Sequence, residues 1–471
     1  MRPVLITAML LLASGAGAQQ RLSQSVRQYV AVDTPIVVIR NVRVIDGTGA
    51  AARDAQSVVI RDGRIAAVGP AASVATPNGA HVIDGSGKSL IPGLVMVHEH
   101  LFYPSGERAT YMPHPYTFPR MYLAAGITTA RTGGNMSPYT DLNVKRAIDA
   151  GTMIGPKLDV TAPYLNGDNP FPQMYSLRDS ADARRFVAYW AGLGATSFKA
   201  YMQISRDQLR AAVNEAHRRG LKVTGHLCSV TYREAAEIGI DNLEHGFVAA
   251  TDYVPRKRPD VCPGQGTQVL AAMDVATDTV MRDVIRTLVA RNVAVTSTLA
   301  IFESFTPGRP ATPQAVLDAM SPAARMSYLE RRAATAVSTT TPWAKAFRNA
   351  MTLEKMFVDA GGMLVAGTDP TGYGGVLPGY GSLRQIELLV EAGFTPVQAI
   401  RIASLNGATY MGRADRVGTI AVGKDADLAL IAGNPATRIA DIYNVEIVFK
   451  NGVGYDSAKL FASVRGEVGG K

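Results

Sequence analysis

Eight short apolar runs follow one another through the middle of the chain: "LIPGLVMVHEH", "GITTARTGG", "KLDVTAPYL", "SFKAYM", "KVTGHL", "NLEHG", "AVTSTLA" and "MLVAGTD". Stretches of helical periodicity separate them. In "SRDQLRAAVNEAHRRG", for example, Leu209, Ala212 and Val213 share a face and Gly220 supplies a stop. Eight strands alternating with helices over about 300 residues predict an α/β chain built as a (β/α)8 TIM barrel rather than an open sheet. The barrel is expected to span residues 90–411. Barrel enzymes collect their chemistry at the C-terminal ends of the strands, so the residues closing each run are the candidates for function.

On either side of this repeat the texture changes. Residues 35–70 show β-branched runs separated by Asp-Gly turns, the mark of small antiparallel hairpins, and "VGTIAVGKDADLALIAGNP" and "IYNVEIVFKNGVGYD" repeat it near the other end. A small β-sandwich assembled from 35–89 and 412–460 is the expected second domain. The chain opens with Arg2, an apolar run from Val4 to Leu12, and Ala16-Gly17-Ala18. That is the layout of a signal peptide over 1–18, implying export to the periplasm or beyond with Gln19 first in the mature chain. The run is too short to span a bilayer, and no later segment is long and apolar enough to make a stable membrane span. Among 471 residues the net charge is +9, but the basic residues are scattered and Arg256-Lys257-Arg258 lies between prolines in a loop. This is no nucleic-acid stripe, so the expected partner is a small molecule, with a homo-oligomer compatible. Cys228 and Cys262 are the only cysteines, and their spacing does not say whether they pair.

His98 and His100 close the first run on one strand face, about 6.6 Å apart along the strand, a spacing at which two imidazoles can grip one cation or simply hydrogen-bond. The chain has only seven histidines. Two more, His226 and His245, close successive runs, and Asp369 closes the last. Neutral imidazoles with a carboxylate suit zinc or a related divalent ion. Lys199 ends the fourth run, where an ammonium facing cations would be repelled. Its neutral amine could take up CO2 and bridge two metals as a carbamate, or its ammonium could pair with Asp369 or a substrate carboxylate. By strand alternation Glu99 points away from its histidine neighbours, toward the helix layer or a partner behind the ligands. His81, in the N-terminal β region, and His217, on a helix, read as structural or solvated. His114, in "YMPHPYTFPR", could reach the pocket mouth.

The ordered set His98-x-His100, Lys199, His226, His245 and Asp369, with the "PGL" start and the "GKDADLALI" segment, resembles the amidohydrolase superfamily over nearly the whole mature chain. It looks most like the imidazolonepropionase-like and prolidase-like branch (Xaa-Pro or Xaa-Arg dipeptidase type). The resemblance implies a binuclear hydrolase, commonly of zinc. His98, His100 and Asp369 would hold the more buried metal, His226 and His245 the more exposed one, and carboxylated Lys199 would bridge them. Imidazolonepropionases themselves look mononuclear and lack the strand-four lysine, so Lys199 moves the expectation toward dipeptidases and amidases.

The implied reaction is attack of a metal-bridged hydroxide on an amide or peptide carbonyl, with Asp369 as general base and then acid toward the leaving nitrogen. Dipeptides and N-acyl amino acids are the expected substrates. Tyr201, on the face of Lys199, is a candidate substrate or oxyanion contact, and Arg131 a candidate partner for a substrate carboxylate. The long connections about 250–275 and 302–343 read as lids, and their "YVPRKRPDVCPGQG" and "FESFTPGRPATP" segments offer basic and aromatic groups to an acidic or aromatic substrate. Hydrolysis of a lactone, carbamate or organophosphate ester by the same site is an alternative. So is a non-catalytic periplasmic metal- or solute-binding protein.

Overall fold

The computed structural model describes residues 22–105, 110–168, 171, 173–371 and 374–470. The expected signal peptide, 1–18, lies outside the described residues. Six strands precede the central repeat: β1 (Val30–Val32), β2 (Ile36–Val44), β3 (Arg53–Arg61), β4 (Arg64–Pro70), β5 (His81–Asp84) and β6 (Lys88–Pro92). The first central strand, β7 (Leu94–Glu99), is followed by a hairpin of β8 (Phe102–Ser105) and β9 (Thr110–Pro113). Then come β10 (Ile127–Thr132), β11 (Lys157–Asp159), β12 (Ser197–Ala200), β13 (Lys222–Gly225), β14 (Asn242–Glu244), β15 (Ala294–Ser297) and β16 (Leu364–Ala366). β17 (Leu428–Ala432), β18 (Val445–Lys450) and β19 (Val453–Asp456) close the chain.

Each of the eight apolar runs contains one of the strands β7 and β10 to β16. They pair in parallel as two ladders, β11-β10-β7 and β12-β13-β14-β15-β16. The ladders do not close into a continuous ring. Between β11 and β12 there are isolated bridges, Thr161 to Ser197 and Leu165 to Ala200. Between β16 and β7, the amides of Thr368 and Asp369 donate to the His98 carbonyl at 3.1 and 2.9 Å. Every residue of β7, β10 and β12 is buried, the pattern of strands covered on both faces. The helix Arg206–Arg218 starts in a capping box, Ser205 with Gln208, and buries Leu209, Ala212, Val213 and Ala216, so its apolar face is the one the spacing predicts.

The two terminal segments share one nine-stranded sheet, ordered β1-β19-β18-β17-β6-β2-β3-β4 with β5 alongside β2. Hydrogen bonds link all nine strands into this one sheet. Val37, Ile39, Val58, Ile60, Leu90, Leu428, Leu430 and Phe449 form its core. β17 pairs with β6, and β6 runs through Gly93 straight into β7. A Cβ on Gly93 would lie 2.2 Å from Thr128 Oγ1, so the handover between sheet and repeat requires glycine.

Cys228 and Cys262 form a disulfide closing a 34-residue separation that contains His245. Chain entropy gives such a closure about 3–4 kcal/mol. Reductant should therefore lower the melting temperature of the wild-type protein. Cys228→Ser should melt like the reduced protein and show no further response to reductant.

Candidate metal and active site

His98, His100, Lys199, His226, His245 and Asp369 come together at one end of the parallel strands, around a cavity of about 260 Å3 lined by five of them, with His98 directly behind. Four of the seven histidines thus meet in one place. His98 Nδ1 is 2.8 Å from Glu244 Oε2, while Nε2 is 2.9 Å from Lys199 Nζ and 3.6 Å from Asp369 Oδ1. Because a carboxylate only accepts, Nδ1–H donates and Nε2 keeps its lone pair toward Lys199 and Asp369. His100 Nδ1 donates to the Gly134 carbonyl at 3.1 Å, which leaves Nε2 facing Asp369 Oδ1 at 3.0 Å. His245 Nδ1 is 2.9 Å from Thr298 Oγ1, and its Nε2 is buried without a hydrogen-bond partner among the described residues. The His226 ring lies 4.2 Å from the His245 ring.

These lone pairs fit a cation. His98, His245 and Asp369 each offer a ligand atom, all within 4.8 Å of one another. Imidazole nitrogens with a carboxylate oxygen are the donor set of zinc and similar divalent ions. The electrostatics agree. Burial lowers His100 to about 4 against the pull of Asp369. It lowers His226 to about 3, helped by Lys199, so both rings are neutral at pH 7. Burial also lowers Lys199 to about 8, opposed by Glu244 and Asp369. Burial pushes the Asp369 carboxyl up, while His98, His100 and His245 lower it wherever a ring turns a proton toward it.

Two backbone features aim the ligands. His245 has φ 71° and Asp369 φ 52°, left-handed conformations that break strand alternation at the ends of β14 and β16. In β14 alternation alone would send Glu244 and His245 to opposite sides, whereas the turn at His245 brings both to the site. This is why the sequence pattern missed Glu244, whose signal is its place directly before a strand-end histidine. Glu244 takes Nδ1–H of His98, a guanidinium hydrogen of Arg131 at 2.6 Å and the Thr224 hydroxyl at 2.5 Å. A carboxylate behind a ligating histidine fixes its tautomer, so Glu244→Gln should weaken metal affinity about 10–100-fold, read by competition with a chromogenic chelator.

Glu99 points away from the ligands, as its strand position predicts. Its Oε1 accepts from the Thr368 amide at 3.2 Å and hydroxyl at 2.7 Å, and burial raises its carboxyl to about 8. His81 is exposed on β5, and His217 pairs with Asp241 at 2.9 Å.

Of the expected substrate contacts, Tyr201 lines the cavity. Arg131 does not and is corrected: it is buried, donating from Nε to the Val97 carbonyl at 2.7 Å and pairing with Glu244, with Tyr410 beneath it. Its length carries the guanidinium away from the cavity mouth. His114 is also corrected. It is buried against Phe118, stacked at 4.9 Å, and takes the Gly469 amide at Nε2. The basic groups of the long connections turn elsewhere as well: Lys257 donates to the Ser229 carbonyl, and Arg309 pairs with Glu303 and Glu391. Phe302 and Phe305 of the second connection do line the cavity, together with Tyr111 and Tyr164, which sequence reasoning passed over. Tyr164 stands near the end of the third apolar run, as the histidines stand near the ends of theirs.

Comparison with known proteins places this geometry. The sequence model described as "Amidohydrolase family" matches residues 89–454. A dihydroorotase of Pelotomaculum thermopropionicum is 37% identical over 86 residues, 18% of this chain and 19% of that protein, so the chain matches only about a fifth of this curated relative. A crystal structure described as a prolidase from Bifidobacterium longum superposes with a TM-score of 0.66 at 24% identity, covering 91% of this chain and 98% of that one. A Xaa-Pro dipeptidase with methionine bound in its active site gives 0.66 at 18% identity, over 89% of this chain and 100% of that one. At these identities the structural likeness is one of fold.

Proposed function

Because the chain belongs to the amidohydrolase family, we propose that it is a metal-dependent hydrolase cleaving the C–N bond of a small amide, a dipeptide or N-acyl amino acid. The observation that carries this reading is the convergence of four imidazoles, three of them buried, with a buried lysine and Asp369 at one cavity. His98, His100, His226, His245, Asp369 and carboxylated Lys199 would hold two divalent cations, zinc first among them. Such ions supply Lewis acidity toward a carbonyl and a nucleophile available at neutral pH. Asp369, set among the histidines, accepts a proton at its carboxylate and returns it to the departing nitrogen. Thr371 donates to Asp369 Oδ1 at 2.7 Å and orients that carboxylate. The Tyr201 hydroxyl, two residues beyond Lys199, donates toward the substrate carbonyl.

The same reading takes the parallel strands as a (β/α)8 barrel over 90–411 and the terminal sheet as a composite β-sandwich of 35–89 and 412–460. The strand order and the sharing of one sheet by both termini support it. It takes the protein as exported after cleavage near Ala18, which the Cys228–Cys262 pairing supports, since disulfides persist in oxidising compartments. No described helix is long and apolar enough to cross a membrane.

A hydrolysis panel of dipeptides, N-acyl amino acids, lactones and phosphotriesters tests the assignment. Turnover of amides, lost on chelation and restored by zinc, is the expected result. Turnover of an ester with failure on every amide would overturn it, as would bound metal with no hydrolysis at all.

A further inference from the structure

The cavity walls above the histidines are aromatic, and they begin at the histidines themselves. The Tyr201 ring is 5.0 Å from His226, Phe302 is 5.8 Å from His245 and Phe102 is 4.5 Å from His100. On one side Tyr164 packs on Tyr201 at 4.7 Å. On the other, Phe302 and Phe305 are both braced by Trp343, stacked on them at 5.5 and 5.1 Å. A substrate carbonyl brought to the histidines must therefore place its next substituent against the rings of this aromatic lining. Among the described lining residues Lys199 is the sole ammonium or guanidinium, and its Nζ is engaged with His98 Nε2. Arg131 and His114, the other candidate partners for a carboxylate, face other parts of the molecule.

We infer that the site selects amides carrying an uncharged aromatic group next to the scissile bond, gripped between Tyr164–Tyr201 and the Trp343-braced Phe302–Phe305 pair. This rests on reading the site as that of an amide hydrolase. Aromatic rings gain here from apolar burial and from offset or edge-on contacts with the wall rings. A charged substituent would lose its hydration with no counter-charge in the walls. A fixed wall is what turns burial into discrimination, because no side chain must be ordered when substrate enters. Trp343 is thus a positioning residue, acting through Phe302 and Phe305.

Two matched series test the inference on the metal-loaded enzyme. One is N-acetyl-X with X phenylalanine, leucine, alanine, aspartate or lysine; the other is glycine acylated with phenylacetyl, isovaleryl, acetyl or succinyl groups. The expected result, in at least one series, is a kcat/KM about 30-fold higher for the aromatic member than for the smallest one. The charged members should fall below the smallest. Trp343→Ala should shrink that aromatic preference at least threefold, through KM for the aromatic member, and Phe305→Leu should do the same if the tryptophan variant fails to fold. Turnover that is flat across both series, or fastest on a charged member, overturns the inference and leaves the hydrolase reading standing. So does an unchanged preference in both variants. Absence of turnover on every amide overturns the hydrolase reading itself, and the inference with it.

Discussion

Asp369→Asn is expected to lower kcat about 1000-fold, the range for loss of a positioned general base, with KM little changed and the melting temperature near that of wild type. The substitution keeps the shape of the side chain and Oδ1, which accepts from Thr371 and faces His98 and His100, while replacing Oδ2, 3.7 Å from His245 Nδ1, by an amide nitrogen with no basicity. The left-handed turn at φ 52° tolerates asparagine as well as aspartate, so backbone strain does not confound the result. Metal content decides how the loss is read. Retained metal with lost kcat places Asp369 in proton transfer; lost metal places it chiefly as a ligand. Retention of most activity would remove it from the chemistry.

The positions that were legible in the sequence are those set by local periodicity. Strands buried on both faces read as short runs rich in apolar and β-branched residues, and all eight were visible for that reason. A histidine or aspartate ending such a run stands out because little else polar is tolerated there. What alternation cannot supply is depth along the strand bundle and any break in its own rule. Arg131 faces inward, as a residue of its strand can, but its long side chain runs toward Tyr410 rather than the mouth. Glu244 and His245 share the site only because one residue adopts φ 71°. His114 looked available because its loop is rich in proline and aromatic residues, and those aromatics are what bury it. The terminal sheet was recognisable by texture, yet its order, with β6 between β2 and β17, depends on pairing between strands more than 300 residues apart in sequence and has no local signal. The disulfide is of the same kind: two cysteines gain meaning only when folding brings them together.

Lys199 offers the second large effect. Lys199→Met is expected to cut activity by at least about 1000-fold and to reduce bound metal from two ions to one or none, while the chain still folds. The fold should survive because Lys199 is 1% exposed and surrounded by rings, where an unbranched apolar side chain of similar length packs without burying an unpaired charge. The chemistry should not, because the amine is the feature the site has been built to present. Burial brings Lys199 from 10.5 to about 8, which raises the neutral fraction near pH 7.5 by about 240-fold over an exposed lysine. A neutral amine next to the lone pair of His98 Nε2 would be a nucleophile for CO2; the new N–C bond would form with loss of an N–H proton to solvent, leaving a carbamate anion among the imidazoles. Native mass analysis should then find residue 199 heavier by one CO2, with the increment released on acidification and reloading of metal dependent on bicarbonate. One metal per chain and a free amine at residue 199, with full activity, would sink the bridging carbamate and return the site to mononuclear chemistry, with Lys199 left to donate a hydrogen bond to His98.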